Sequence, residues 1–183
     1  LYRRRQRQMC IRDRFYINGE WVKPVNDLKT LDVINPATEE VYGRIALGDK
    51  DDVDAAVEAA YAAFESFGYS SVDERVSLLE KILEVYQGKY DEIAETISSE
   101  MGAPIGLSKA AQAATGLGHF STALETLKNY KFEEVKGSAL IRKEPIGVVG
   151  MITPWNWPIN QISCKVGPAP VSYTHLRAHE TLL

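Results

Sequence analysis

Residues 144–158 read Glu-Pro-Ile-Gly-Val-Val-Gly-Met-Ile-Thr-Pro-Trp-Asn-Trp-Pro, and this stretch decides the fold class. The run from Ile146 to Ile152 is apolar and rich in β-branched residues, which predicts a buried strand, central in a parallel sheet. Pro154 and Pro158 forbid regular structure after this strand and fix an irregular loop. In an open α/β sheet, ligands bind where strands end at their carboxyl edge. The stretch therefore predicts an α/β fold with a binding site on this loop.

The loop contains one candidate catalytic residue, Asn156, between two tryptophans. An asparagine held rigidly at the end of a strand is placed to donate its side-chain amide to a developing oxyanion. The same residue types also fit an alternative in which Trp155 and Trp157 are core residues and Asn156 is a turn residue. The residue types alone leave both interpretations open.

This stretch resembles the aldehyde dehydrogenase superfamily, in which Pro-Trp-Asn-(aromatic)-Pro follows Glu-Pro-Ile-Gly-Val-Val-Gly. Three earlier segments, Tyr16–Trp21, Val33–Glu40 and Asp52–Val57, match the family in order and spacing. The resemblance covers Phe15 to Pro170. It implies that the chain corresponds to an amino-terminal fragment, the first third of the family's protein.

The resemblance implies an oxidoreductase that oxidises a small-molecule aldehyde to a carboxylic acid with NAD or NADP, through a cysteine thioester. Asn156 would then donate to the thiohemiacetal oxyanion. The nicotinamide half of the cofactor would be lined by Ile152, Thr153, Pro154 and Trp155.

Lys165 matches a lysine that the family places behind the active site, near the proton path of deacylation. The alternative is a solvated helix lysine. The neighbouring Cys164 is expected to be a buried bystander, because a reactive cysteine needs an exposed electropositive setting or a base partner. In the family, the nucleophilic cysteine and the glutamate base come from a downstream segment that this chain lacks. The fragment itself is therefore expected to be inactive.

Local patterns predict the elements that precede the loop. Alternation around Asn18-Gly19 predicts a hairpin over 15–23, and two further strands are expected over 31–34 and 41–46. Four helices follow, over 49–67, from the capping box Ser71–Glu74 onward, over 90–100 and over 108–127. A kink is expected near Gly116 and Gly118 in the fourth helix. Two further strands are expected over 130–135 and 138–143, around Lys136-Gly137, and they would form a ribbon.

The resemblance gives this order of elements a shape, an incomplete Rossmann-like NAD(P) domain with flanking helices and a protruding β-ribbon. Residues 15–129 would be its first strands and helices. Residues 130–144 would be the ribbon, which pairs subunits in a homo-oligomer. Residues 145–170 would hold the first strand of the nucleotide sheet, the active-site loop and the start of the next helix.

The two ends differ in character from the middle. Residues 1–14 contain six arginines and no lysine, as a basic arm or a targeting peptide would. They resemble translated sequencing-adapter text, however, and so do residues 171–183. We therefore expect both ends to be non-native, dispensable and poorly packed.

Composition narrows the class of protein. The chain has 183 residues, of which 45% are hydrophobic and 25% charged, as in an ordinary globular domain. A net charge of −4 gives no reason to expect nucleic acid or a membrane as partner. Two distant cysteines indicate no disulfide framework and favour a reducing compartment, the cytoplasm.

No metal site is predicted. His175 and His179 have the spacing of zinc ligands on one helix face, but no third ligand is nearby. A lone His119 in an Ala- and Gly-rich helix is expected to be structural.

Two alternative functions remain open. The first is a non-enzymatic helical interaction module built on residues 53–127, which would have no need of the loop at 154–158. The second is an acyl-phosphate reductase of the same fold, which would need a phosphate site.

Overall fold

The computed structural model describes residues 13–27 and 29–172, together with the backbone of 175–177. Two antiparallel strand pairs open this part of the chain. Strand β1 (Phe15–Ile17) pairs with β2 (Glu20–Val22), and β3 (Lys29–Asn35) pairs with β4 (Glu40–Leu47). Asn18 and Gly19 both have positive φ, at 54° and 81°, as a tight hairpin turn requires. These predicted strands are confirmed.

Helices α1 (Lys50–Phe67) and α2 (Val72–Gly88) each begin at a capping box. At the start of α2, the backbone N–H of Ser71 donates to the Glu74 carboxylate at 2.7 Å. Hydrogen bonds from Ser71, the backbone one first, hold the pKa of Glu74 below its ordinary value. The capping box therefore fixes the start of α2 where the sequence predicted it.

The helical spacing of the apolar residues predicts that Val53 lies on the buried face of α1, and this prediction is wrong. Val53 is 42% exposed, whereas its neighbour Asp52 is buried. The Asp52 carboxylate accepts from the backbone N–H of Val25 at 2.8 Å and from that of Asp49 at 3.0 Å. The need to satisfy these two donors turns Asp52, rather than Val53, toward the interior.

The helix predicted over 108–127 is divided differently. Helix α3 (Tyr90–Met101) ends at Gly102, whose φ is 72°. A short α4 (Ile105–Leu107) leads into a π-helical segment (Ser108–Gln112), and α5 (Ala113–Asn129) follows. The departure from α-helical geometry therefore lies in the π-helical segment and not at Gly116 and Gly118, which lie inside the regular helix α5.

Helices α2 and α5 pack against each other to form the core. Its central cluster consists of Leu79, Tyr86, Phe120, Ala123, Leu127 and Val171. The Tyr86 hydroxyl donates to the carbonyl oxygen of Ala113 at 2.7 Å, and burial raises the pKa of Tyr86 to about 12. Gly116 lies against this tyrosine, because a Cβ built on Gly116 would be 2.2 Å from the Tyr86 hydroxyl oxygen. Gly116 therefore permits close packing of the two helices.

We expect Gly116→Ala to destabilise the fold by about 1 to 2 kcal/mol. The clash with Tyr86 outweighs the roughly 1 kcal/mol that alanine gains over glycine in a helix. Gly118→Ala is the matched control, since nothing lies within 4 Å of its Cβ, and it should be neutral or stabilising. Urea midpoints of both variants measure the difference. Equal midpoints would show that the core accommodates the extra methyl group.

The chain around Val171 is well packed, contrary to the expectation for the end of the chain. Helices α6 (Pro158–Val166) and α7 (Pro168–Val171) follow the loop, and Val171 joins the central cluster. The Arg75 side chain is fully buried and donates to the carbonyl oxygens of Pro170 at 2.8 Å and Val171 at 3.4 Å. These contacts give Val171 specific partners in α2. Residues 1–12 of the arginine-rich end and most of residues 173–183 lie outside the described residues.

The ribbon consists of β5 (Glu133–Lys136) and β6 (Ala139–Arg142), shorter than the predicted strands. The two strands are antiparallel, and all eight residues are exposed. Arg142 donates to the Glu133 carboxylate at 2.8 Å across the pair. The ribbon thus extends away from the core with both faces uncovered.

The strand predicted over 146–152 is shorter and less buried than expected. Strand β7 (Val148–Gly150) pairs in parallel with β8 (His175–Arg177). Ile146 is 82% exposed and Ile152 is 76% exposed. A central strand is buried by neighbours on both edges and layers on both faces. Among the described residues β7 has a neighbour on one edge only, so its apolar ends stay uncovered.

Within the described residues, no helix is both long enough and apolar enough to cross a membrane.

Candidate active-site loop

Residues 151–157 connect β7 to α6 without regular structure. Pro158 occupies the first turn of α6, where its missing N–H costs nothing, and Trp157 is the N-cap. Trp155 is 77% exposed, and Trp157 is half-buried. The alternative in which both tryptophans are core residues is therefore wrong for Trp155.

Asn156 is exposed, and within the described part of the chain its side-chain amide has no hydrogen-bond partner. No side chain caps the N-terminus of α6, which begins two residues later. The first N–H groups of a helix carry partial positive charge and favour nearby anions. The region therefore combines an uncommitted amide donor with the positive end of a short helix.

The four residues predicted to line a nicotinamide group lie together on the strand-proximal half of the loop. Ile152, Pro154 and Trp155 are exposed, and Thr153 is half-buried. An uncovered isoleucine and an uncovered indole offer apolar surface of the kind that a planar heteroaromatic ring packs against. Their exposed apolar surface is compatible with such a ring, and their role in binding it stays a prediction.

Lys165 is half-buried, so the alternative of a fully solvated lysine does not describe it. Its ammonium group donates to the backbone carbonyl of Gln161 at 3.1 Å and to the side-chain oxygen of the same residue at 3.3 Å. Lys165 and Asn156 lie at opposite ends of α6, a nine-residue helix of about 13 Å. The Lys165 side chain reaches back one turn along the helix, to Gln161.

Cys164 is half-buried rather than buried. Its thiol donates to the Gln161 carbonyl at 3.5 Å, and Lys165 Nζ lies 3.9 Å from its sulfur. His175 lies on a strand rather than on a helix, and His179 lies outside the described residues. The part of the chain that the structure describes holds no group of three His, Cys, Asp or Glu side chains that could bind a metal.

Sequence reasoning missed two contacts that attach the loop to α5. The Trp157 indole N–H donates to Thr115 Oγ1 at 3.2 Å, and His119 Nε2 lies 2.8 Å from Asn160 Oδ1. Thr115 and His119 are one helical turn apart, and this spacing could have indicated that both face the same neighbouring element. The expectation that His119 is structural agrees with its bond to Asn160.

The family model described as "Aldehyde dehydrogenase family" matches residues 21–172. This range contains the loop, both helices that hold it and most of the strands before them. The chain belongs to the aldehyde dehydrogenase family. The family resemblance that the sequence motifs predicted is thereby confirmed, and so is the partial α/β fold.

Individual relatives of this aldehyde dehydrogenase chain agree. A 3-succinoylsemialdehyde-pyridine dehydrogenase from a Pseudomonas species is 50% identical over 156 residues, covering 85% of this chain and 32% of the relative. A crystal structure of aldehyde dehydrogenase from Bartonella henselae matches with TM-score 0.87 at 42% identity, covering 91% of this chain and 36% of that one. The chain thus spans about a third of the length of the relatives it matches.

A third relative of the family was solved with bound molecules. Aldehyde dehydrogenase C from Pseudomonas syringae, in complex with NAD+ and octanal, matches with TM-score 0.87 at 41% identity. The match covers 89% of this chain and 33% of that chain.

Proposed function

We propose that this chain is part of an NAD(P)-dependent aldehyde dehydrogenase and that its loop supplies the oxyanion donor and one wall of the nicotinamide site. The observation that carries the proposal is the Asn156 amide, which is exposed in the loop after β7 and makes no hydrogen bond among the described residues. An asparagine that capped a turn or filled a core would spend its amide on a backbone group. An amide kept free at a strand's carboxyl end is available to a ligand.

The proposed role of Asn156 follows from where charge develops. A cysteine thiolate adds to the aldehyde carbonyl carbon, and the carbonyl oxygen takes the negative charge. The Asn156 Nδ2 donates to that oxygen and stabilises the charge in the transition state. The uncapped N-terminus of α6, which begins two residues after Asn156, contributes a positive potential nearby.

The cofactor is proposed to be NAD or NADP, as in the relative solved with NAD+. A bound nicotinamide would supply the acceptor for the hydride that the aldehyde carbon loses. Ile152 and Trp155 would contribute apolar contact to the ring and exclude water from that side. Thr153 and Pro154 hold the backbone between them in an extended, rigid form.

The ribbon β5–β6 is proposed to pair with a second copy of the chain in a homo-oligomer. Its strand edges and its exposed apolar side chains, Val135, Leu140 and Ile141, remain uncovered within the described chain. Exposed strand edges with apolar side chains are templates for pairing with another chain. We also propose a cytoplasmic location, on the grounds of cysteine usage alone.

The purified 183-residue chain is expected to show no dehydrogenase turnover with NAD(P) and a panel of aldehydes. The proposed nucleophile and base come from elsewhere in the full-length enzyme. Among the described residues Cys164 contacts the Gln161 carbonyl and the Lys165 ammonium group, and neither is a base that would activate it. Production of NAD(P)H at 340 nm, compared with the full-length enzyme at equal concentration, measures this. Turnover by the chain that is abolished in Cys164→Ala would contradict both the inactivity and the bystander role of Cys164.

A further inference from the structure

Helix α5 contacts the start of α6 through two polar side chains on one face. Thr115 and His119 are one turn apart, and each makes one hydrogen bond to α6 or its N-cap. Thr115 accepts from the Trp157 indole N–H, and His119 bonds the side chain of Asn160. The pair therefore fixes α6 at two points, three residues apart, which restrains both its position and its rotation.

The bond to Trp157 is part of a longer chain of hydrogen bonds. The Thr115 hydroxyl donates to the carbonyl oxygen of Gln112 at 2.8 Å. The lone pairs of the hydroxyl oxygen are therefore available to accept another hydrogen bond. The indole N–H is a donor only, so it takes one of those lone pairs. Gln112 is the last residue of the π-helical segment and is buried. The loop is thereby connected, through Thr115, to a buried part of the helix layer.

Trp157 is the residue next to Asn156 and is also the N-cap of α6. Adjacent Cα atoms are about 3.8 Å apart and joined by a planar peptide, so fixing Trp157 limits where Asn156 can be. The apolar contacts beneath, such as that of Ile159 with the core cluster, are not directional. Hydrogen bonds are directional, so the two bonds fix the orientation of α6, which the apolar contacts alone do not.

We infer that Thr115 is a positioning residue for the oxyanion donor Asn156, acting through the Trp157 indole, with His119 as a second attachment. The inference rests on the proposed function of Asn156 in the aldehyde dehydrogenase reaction. Thr115 touches neither substrate nor cofactor in this scheme. Its contribution is to keep the Asn156 amide where the oxyanion forms.

Thr115→Val in the full-length enzyme is expected to lower kcat about tenfold, because a misplacement of about 1 Å costs up to about 100-fold and the bond of His119 limits the shift. Thr115→Ser keeps the hydroxyl and should retain turnover within about twofold. NAD(P) affinity and melting temperature should stay near the wild-type values in both variants. Trp157→Phe removes the same hydrogen bond from the other side and should match Thr115→Val.

The deciding experiment repeats Thr115→Val in an Asn156→Ala background. A residue that acts through Asn156 should cause no further loss once that amide is gone. An equal tenfold loss in both backgrounds, or an equal loss in Thr115→Ser, would overturn the inference. Unchanged kcat in Thr115→Val and Trp157→Phe, with turnover lowered in Asn156→Ala, would also overturn it and leave the proposed function standing. Unchanged turnover in Asn156→Ala would instead overturn the proposed function.

Discussion

Asn156→Ala in the full-length enzyme is expected to lower turnover roughly 100- to 1,000-fold while NAD(P) affinity stays nearly unchanged. An oxyanion donor acts when negative charge develops on the carbonyl oxygen and contributes little to the resting cofactor complex. The loss corresponds to about 3 to 4 kcal/mol in the activation barrier. Because the amide has no partner among the described residues, its removal should leave the fold intact.

Turnover, cofactor affinity and melting temperature should be measured on the same preparation. Asn129→Ala serves as the control, since Asn129 is an exposed asparagine that lies far from the loop in sequence. Its side-chain amide donates to a backbone carbonyl of its own helix. It should change none of the three quantities beyond about twofold or a few degrees. A structural Asn156 would show the reverse pattern, with lower melting temperature and affinity but unchanged turnover per folded molecule.

Arg75→Met is expected to lower the free energy of unfolding by about 3 kcal/mol. Methionine fills much of the space but donates to neither the Pro170 nor the Val171 carbonyl. Each buried acceptor left without a donor costs about 1 to 3 kcal/mol. The guanidinium also lies 4.8 Å from the centre of the Phe132 ring, and this contact is lost as well.

Arg75→Lys distinguishes the contribution of the positive charge from that of the planar guanidinium group. Lysine keeps the positive charge but lacks the planar fork, so its stability should fall between wild type and methionine. Arg44→Met is the matched surface control, because Arg44 is exposed and bonds Asp32 in solvent. Its effect should be within about 1 kcal/mol. Urea midpoints for the three variants test the prediction, and an Arg75→Met protein as stable as Arg44→Met would contradict it.

Much of the fold could be predicted because it depends on near neighbours in the sequence. The hairpin at Asn18-Gly19 and the capping box of Ser71 and Glu74 are each determined by a few adjacent residues. The burial of Ile146 and Ile152 could not be predicted in this way, since it depends on what covers a strand. The π-helical segment was also missed, because no single residue type in it distinguishes it from an α-helix.

The candidate site was likewise predictable where it depends on adjacent residues, and not where it depends on distant ones. The motif around Asn156 identified the loop, and the family match supports the assignment of the chain. The partners of the loop were missed because Thr115 and Trp157 are 42 residues apart, on separate elements. The same holds for Arg75, since two of its acceptors lie 95 and 96 residues further along. A sequence pattern shows which face of a helix is polar, but not which distant carbonyl that face will meet.

The distance in sequence between Arg75 and Pro170 has a consequence for synthesis on the ribosome. At about 5 to 20 residues per second, Arg75 emerges roughly 5 to 20 s before the Pro170 and Val171 carbonyls that accept from it. The Lys128–Glu80 ion pair between α5 and α2 spans only 48 residues and can form much earlier. We therefore expect the nascent α2–α5 pair to assemble first around a still-hydrated guanidinium. Docking of α7 then dehydrates that cation and completes the core as a late co-translational step.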